Sequence, residues 1–307
     1  GEIPAIDDTP MPAYDADAYP ALSEPDGKLR LFEIHDASSC PRGRFGRGTP
    51  EDPAARHGKS IRRICEEIQH ITRSQGTRIF HVASSGSGAA QAATLAAAMM
   101  RWGLDIAYSR YDHPCFADPA QFQMLRMSGC LVYSLQVDTG SQRLLEDYYG
   151  RRLGVSHMER LLQQCHMAGI MPLIRLTYPT PADDYHTREE TLRIIDRNKP
   201  VSVCVEPAIP TPGTPWSDNA TAYGFTKNHP LSAIRSRFPL PQGRWRTLPS
   251  HSSQAASAEV SQDHEILMAA IETRGIPLAV TEKWVLMAGL MGWKGHLREF
   301  GQKMVQS

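Results

Sequence analysis

The feature that most constrains the fold of this 307-residue chain is an alternation repeated six times: a short apolar run, then a longer stretch with helical spacing. The apolar runs fall at about 30–35, 78–83, 104–109, 131–137, 170–177 and 201–207. Between them Ile61, Ile64, Ile68 and Ile71 recur at helical intervals and Gly76 closes that segment. An alanine-rich segment from Ala89 to Arg101 stops at Gly103, and Asp118-Pro119 opens another that runs through Met127. Further helices are expected at 141–149, 156–167 and 187–197. Strands separated by helices of this length pair in parallel through right-handed crossovers. Six such units make either an incomplete barrel or an open doubly wound sheet, and their order does not choose between the two.

The flanks read differently. Residues 1–29 are acidic and proline-rich, with no period of either kind, and are expected to form an extended linker rather than a packed element. Residues 216–262 are rich in Pro, Ser, Gly and Arg, and two helices are expected after them, near 262–274 and 281–303. Trp284, Met287, Leu290 and Met291 form an apolar stripe on the second, read as core packing. Lys+Arg and Asp+Glu balance at 33 each, so no global field draws the chain to nucleic acid or membrane. There is no apolar run of about 18 residues and no apolar signal core, which makes the cytoplasm the expected compartment.

The first strand empties into Ser39-Cys40-Pro41-Arg42-Gly43-Arg44-Phe45-Gly46-Arg47, a cationic loop with one cysteine. The other five cysteines (Cys65, Cys115, Cys130, Cys165, Cys204) are scattered, none at the short spacings of metal or redox motifs. They read as small buried hydrophobes. Arg44 and Arg47, with Arg42, suit a clamp for carboxylate, phosphate or sulfate, or equally a solvated loop. Ser84, Ser85 and Ser87 precede a helix; their backbone would cradle an anion or simply cap the helix. His35, His81 and His113 follow or lie in three consecutive strands. Together they suit a metal or acid–base work, although their spacing is no metal signature and three unrelated histidines read the same way. Tyr111-Asp112-His113 is the best local source of an acid or base. Arg175 and Glu206 lie on the fifth and sixth strands, where they would bind substrate or each other.

Several stretches resemble the radical S-adenosylmethionine (SAM) superfamily, in particular its cobalamin-binding branch. Ser128-Gly129-Cys130, the strand 131–137 and Asp138-Thr139-Gly140-Ser141 resemble its fourth-strand signature, with Asp138 where Glu is usual. Val205-Glu206-Pro207 through Pro212-Gly213-Thr214-Pro215 resembles its sixth-strand ending, and the proline-rich opening resembles the linker from a cobalamin domain. The resemblance covers about residues 1–216. It implies a partial (β/α)6 barrel over 30–215 with a C-terminal helical extension, SAM as ligand, and Asp138 as the ribose-binding acid.

The family's first loop carries Cys-x-x-x-Cys-x-x-Cys, which binds a four-iron four-sulfur cluster. Here Cys40 matches the first position, but Arg44 and Arg47 stand at the second and third. Arginine stays cationic and offers iron no lone pair. The family's acidic end to strand two and its fifth-strand glycines are also replaced, around 83–87 and 173–178. The expectation is therefore an enzyme without the iron–sulfur cluster. It would use the barrel cavity, with or without SAM, for non-radical transfer, cyclisation or elimination on a small, anionic specialised metabolite; any cobalamin would lie outside this chain. The alternatives are a non-catalytic partner of an intact radical SAM or cobalamin-binding protein, and a radical SAM methyltransferase with an atypical cluster site.

Overall fold

The computed structural model describes residues 6–15, 29–35, 59–83, 89–114, 117–151, 153–206, 208, 215–225, 254–297 and 299–300. Among these residues six strands form one sheet: β1 (Leu31–His35), β2 (Ile79–Ala83), β3 (Ala107–Asp112), β4 (Cys130–Asp138), β5 (Met171–Thr177) and β6 (Ser202–Glu206). They are parallel throughout, and their spatial order is their sequence order. A doubly wound sheet reverses direction at a switch point. This one never does, so it is a partial barrel with β1 and β6 at its edges.

The helices α1 (Ile61–Gln75), α2 (Ala89–Arg101), α3 (Phe122–Met127), α4 (Val155–Met167) and α5 (Tyr185–Asn198) alternate with the strands along the chain. Helix α1 shows why: Ser60 caps its first turn, accepting from the Arg63 N–H at 3.1 Å. Ile64, Cys65, Ile68 and Ile71 form its buried stripe, and Gly76 ends it in the left-handed conformation that glycine adopts without steric cost. That stripe packs on the outward residues of the sheet, among them Phe32, Ile34, Phe80 and Val82.

Within 6–15 the proline-rich opening, which begins with a 3-10 turn at Ile6–Asp8, is not a free linker. The Asp7 carboxylate accepts the Ser60 N–H at 2.9 Å, Arg63 Nη2 donates to the Thr9 carbonyl at 2.6 Å, and Gln75 Nε2 donates to the Tyr14 carbonyl at 2.9 Å. Tyr14 meets Phe32 edge to face at 4.7 Å. The segment is a strap along α1. Proline removes backbone donors but not side-chain contacts, and those fasten it.

Beyond β6, α6 (Pro215–Asp218) places Trp216 in a buried cluster with Leu144, Tyr149 and Phe225. Two longer helices follow, α7 (Gln254–Glu272) and α8 (Glu282–Leu290). They are not an appendage. Leu267 and Ile271 of α7 join the outer core, and residues 277–279 pair with β6 through Val203. Helix α8 covers the inner face of the sheet, with Val285, Leu286 and Met287 against Ile79, Val132 and Leu173. It stops at Leu290, well short of 303, because Gly292 turns left-handed one residue past the Met291 cap. Leu290 and Met291 therefore stay exposed, while Met287 is buried and Trp284 partly so.

Candidate functional site

Alternate strand residues face away from the helices. Along β1–β6 these include Glu33, His81, Ser109, Ser134, Arg175 and Cys204, a polar row with the apolar floor of α8 beneath it. Helix α8 adds Glu282 and Lys283 to this row from its first turn.

His81 is buried in the middle of β2. Its Nδ1 is 2.9 Å from Ser109 Oγ, and its Nε2 is 3.6 Å from Glu282 Oε1. Glu282 is also buried, and its other oxygen accepts from Arg175 Nη2 at 2.8 Å. Arg175 continues outward: Nε donates to Ser134 Oγ at 3.1 Å, Nη1 donates to Glu206 Oε1 at 3.1 Å, and its guanidinium lies 5.3 Å over the Tyr111 ring. On the β1 side, Lys283 pairs with Glu33, which stands 3.4 Å from His35.

Burial pushes the His81 imidazole down to about 4, against a smaller upward pull from Glu282, so the ring is neutral at pH 7. With Nε2 turned to a carboxylate, the network assigns the proton to Nε2 and leaves Nδ1 to accept from the Ser109 hydroxyl. Burial alone would raise the Glu282 carboxyl, but Arg175 and His81 outweigh it and hold the group below its usual range. Burial would also weaken the Arg175 cation; Glu282 reverses that and raises it.

A second network lies at the carboxyl end of β4. Asp138 adopts φ 62°, a left-handed conformation aspartate tolerates better than most residues, where the β4–β5 register shifts. Its Oδ1 accepts from Gln136 Nε2 at 2.7 Å and from Thr177 Oγ1 at 2.6 Å, while Arg151 pairs with Oδ2. Tyr111 Oη donates to Gln136 Oε1 at 3.2 Å, which links the two networks. Gly140 sits where the following loop touches α5: a Cβ there would come within 2.5 Å of Thr191 Cα.

The candidates from sequence separate accordingly. His81, Arg175 and Glu206 come together on the inner face, and His35 joins them at the exposed end of β1. His113 directly follows β3, half-buried, and is not brought into the His81–Glu282 group. Asp112 requires correction: it faces the helix layer, bonded to Arg110 at 2.5 and 3.0 Å and accepting from Tyr133 Oη at 2.8 Å. Strand alternation puts it on the opposite side of the sheet from Ser109 and Tyr111, so it takes no part in the inner-face site. Asp138 is in place but already engaged on both oxygens. Cys40, Arg44, Arg47, Ser84, Ser85 and Ser87 lie outside the described residues. Among the described residues no group of three or more His, Cys, Asp or Glu is placed to hold a metal ion.

Sequence reasoning missed Ser109, Arg151, Glu282 and Lys283. Glu282 is 107 residues from its partner Arg175 and Lys283 is 250 from Glu33, and no local spacing signals such pairs. The alternation within β3 was a usable signal for Ser109, since it shares a face with Tyr111.

Neither a protein-family model nor a curated protein matches the sequence. Solved structures match its fold, radical SAM enzymes among them. The radical SAM methyltransferase TsrM from Kitasatospora setae, with cobalamin and a four-iron four-sulfur cluster bound, aligns over 90% of this chain and 61% of its own, at 16% identity and a TM-score of 0.60. The radical SAM enzyme coproporphyrinogen III oxidase (HemN) from Escherichia coli aligns over 84% of this chain and 56% of its own, at 13% identity and a TM-score of 0.51. Streptococcus suis SuiB, solved with S-adenosylmethionine, covers 82% of this chain and 50% of its own, at 13% identity and a TM-score of 0.50. The fold is thus a partial barrel of the radical SAM type. This chain spans less than two thirds of the length of each of these structures.

Proposed function

We propose that this chain is an enzyme of radical SAM fold that carries no cluster of its own and moves protons on a small molecule bound at the inner face of the barrel. The observation that carries this reading is His81, buried and neutral between the Ser109 hydroxyl and the Glu282 carboxylate. That order makes His81 Nδ1 the base for the Ser109 proton; both side chains are buried, so a ligand must part the inner-face side chains before Ser109 Oγ can take a proton from it. The imidazolium so formed faces Glu282, which offsets its charge. Reversing the two transfers delivers the proton to the leaving group in an elimination, or to the atom protonated as the ring closes in a cyclisation.

Against a cluster stand the sequence around Cys40 and the four cysteines among the described residues. Cys40 is alone in its loop with Arg44 and Arg47. Cys65, Cys130, Cys165 and Cys204 are buried in packed layers, and burial pushes their thiols up, to about 11 for Cys65 and about 12 for Cys130 and Cys204. Thiols so raised do not present the thiolates a cluster needs. SAM, when bound, would supply a group for polar transfer. Asp138 does not fit as its ribose acceptor, because Gln136, Thr177 and Arg151 already take both oxygens.

Anaerobic reconstitution with iron and sulfide tests the first half of this reading. Less than one iron per chain is expected, and about four would overturn it. Incubation with a metabolite extract in D2O tests the second: wild type should label at least one compound that His81→Gln leaves unlabelled. A chain that labels nothing would be read as a non-catalytic partner.

A further inference from the structure

Arg175 is held unevenly. Its Nε and Nη2 donate to Ser134 and Glu282, both buried, and the Tyr111 ring lies against the guanidinium. Those contacts fix its plane. The remaining bond, from Nη1, goes to Glu206, whose side chain is 46% exposed against 17% for Arg175. An ion pair with one partner in water contributes little, so Glu206 is the contact that can be exchanged.

The charge balance says for what. Among the described residues, the inner face around Arg175 holds two cations, Arg175 and Lys283, against three carboxylates, Glu33, Glu206 and Glu282. A purely anionic ligand would add to that negative excess. A purely cationic one would draw Glu206 away and leave Arg175 Nη1 without an acceptor. A ligand with ammonium and carboxylate on one carbon does neither: it supplies the acceptor and pairs with the released carboxylate.

We propose that the Arg175–Glu206 pair receives the α-amino-acid group of a ligand, its carboxylate on Arg175 Nη1 and its ammonium on Glu206. This rests on the reading of the inner face as a small-molecule site, and it replaces the anionic substrate expected from sequence with a zwitterion. The group has two sources, a free amino acid or the amino-acid end of a SAM-type nucleoside.

Calorimetry on the full chain tests this with L-phenylalanine, L-lysine and L-glutamate, and with S-adenosylhomocysteine. The truncated controls are phenethylamine, 3-phenylpropionate and methylthioadenosine. At least one zwitterion should bind, and its truncated counterpart should bind at least about tenfold more weakly. Glu206→Gln should weaken the zwitterion about tenfold while sparing 3-phenylpropionate. Arg175→Lys, which keeps the charge but loses the fork, should weaken both. Binding of S-adenosylhomocysteine alone assigns the nucleoside source; binding of free amino acids alone assigns the other.

Equal binding of zwitterions and truncated controls, an unaffected Glu206→Gln, or no zwitterion binding at millimolar concentration would each overturn the proposal. The His81 ring resonances separate this failure from failure of the underlying reading. If they shift with a metabolite that is not a zwitterion, the small-molecule site stands and the assignment falls. If no metabolite moves them, the site itself falls.

Discussion

Arg175 and Glu282 are 107 residues apart in sequence, yet their Nη2 and Oε2 atoms meet at 2.8 Å inside the barrel. The pair ties β5 to the first turn of α8, and Glu282 hands the connection on to His81 in β2. Removing one member of a buried pair leaves the other charge uncompensated, which costs about 3–5 kcal/mol. Glu282→Leu should therefore lower unfolding free energy toward that range, less whatever Glu206 retains on Arg175. Adding Arg175→Met should restore part of the loss. A double-mutant cycle in urea measures the coupling; additive losses would show the two side chains to be independent.

Acid should weaken the fold through His81. Its folded value, near 4, lies below the ordinary 6.5, so the unfolded chain binds the proton more readily. The stability contribution is fully present above pH 6.5 and is lost as pH falls toward 4, up to about 3 kcal/mol. Glu282 is held low as well, so the stability of its pairing is present above the usual carboxylate range and is lost as pH falls through its lower folded value. His81→Gln should flatten the profile between pH 6.5 and 4 while leaving the loss at lower pH. Urea midpoints across that range provide the check.

Asp138→Asn should separate structure from ligand binding. The carboxylate is occupied by Arg151, Gln136 and Thr177, so the substitution removes an internal anchor and should destabilise the fold by about 3 kcal/mol. Affinity for S-adenosylhomocysteine, measured where the variant is still folded, should change less than about threefold. A loss of tenfold or more would restore Asp138 to the ribose role implied by resemblance.

Gly140→Ala should be poorly tolerated although its backbone is in an ordinary region. The new Cβ would meet backbone atoms of Glu190 and Thr191 at 2.5–2.7 Å, which no rotamer change relieves. A loss of about 1–3 kcal/mol is expected, with α5 pushed away from the loop that follows Asp138. Thermal melts check the first effect, and amide exchange in 187–195 checks the second.

Asp7→Ala should release the strap. Asp7 accepts the Ser60 N–H at the start of α1, a capping contact whose loss typically costs about 1 kcal/mol. Faster proteolysis within residues 6–15 than in wild type, with α8 unaffected, is the expected signature.

The barrel was legible because periodicity is local. Ile61, Ile64, Ile68 and Ile71 announce α1 whatever lies elsewhere in the chain, and glycines such as Gly76 mark where helices end. The same logic supplied His81, Arg175 and Glu206 as strand residues. It failed where facing matters: Asp112 and Ser109 are three residues apart on one strand and point to opposite layers, and only the register decides which is inward. It failed again at Glu282 and Lys283, whose partners lie on β5 and β1. The strap was misread for the complementary reason, since proline density reports backbone habit and says nothing of Asp7 or Tyr14 finding α1 and Phe32.

The covering of the inner face by α8 also sets an order of assembly. During synthesis all six strands emerge before Glu282 does, so for a time Glu206 is the one carboxylate of the described inner face bonded to Arg175, and Glu33 lacks Lys283. Until α8 arrives, Ile79, Val132 and Leu173 also lack their cover. The site is therefore the last part of the barrel to be completed, because its buried acid and the cover of its apolar floor arrive together on α8.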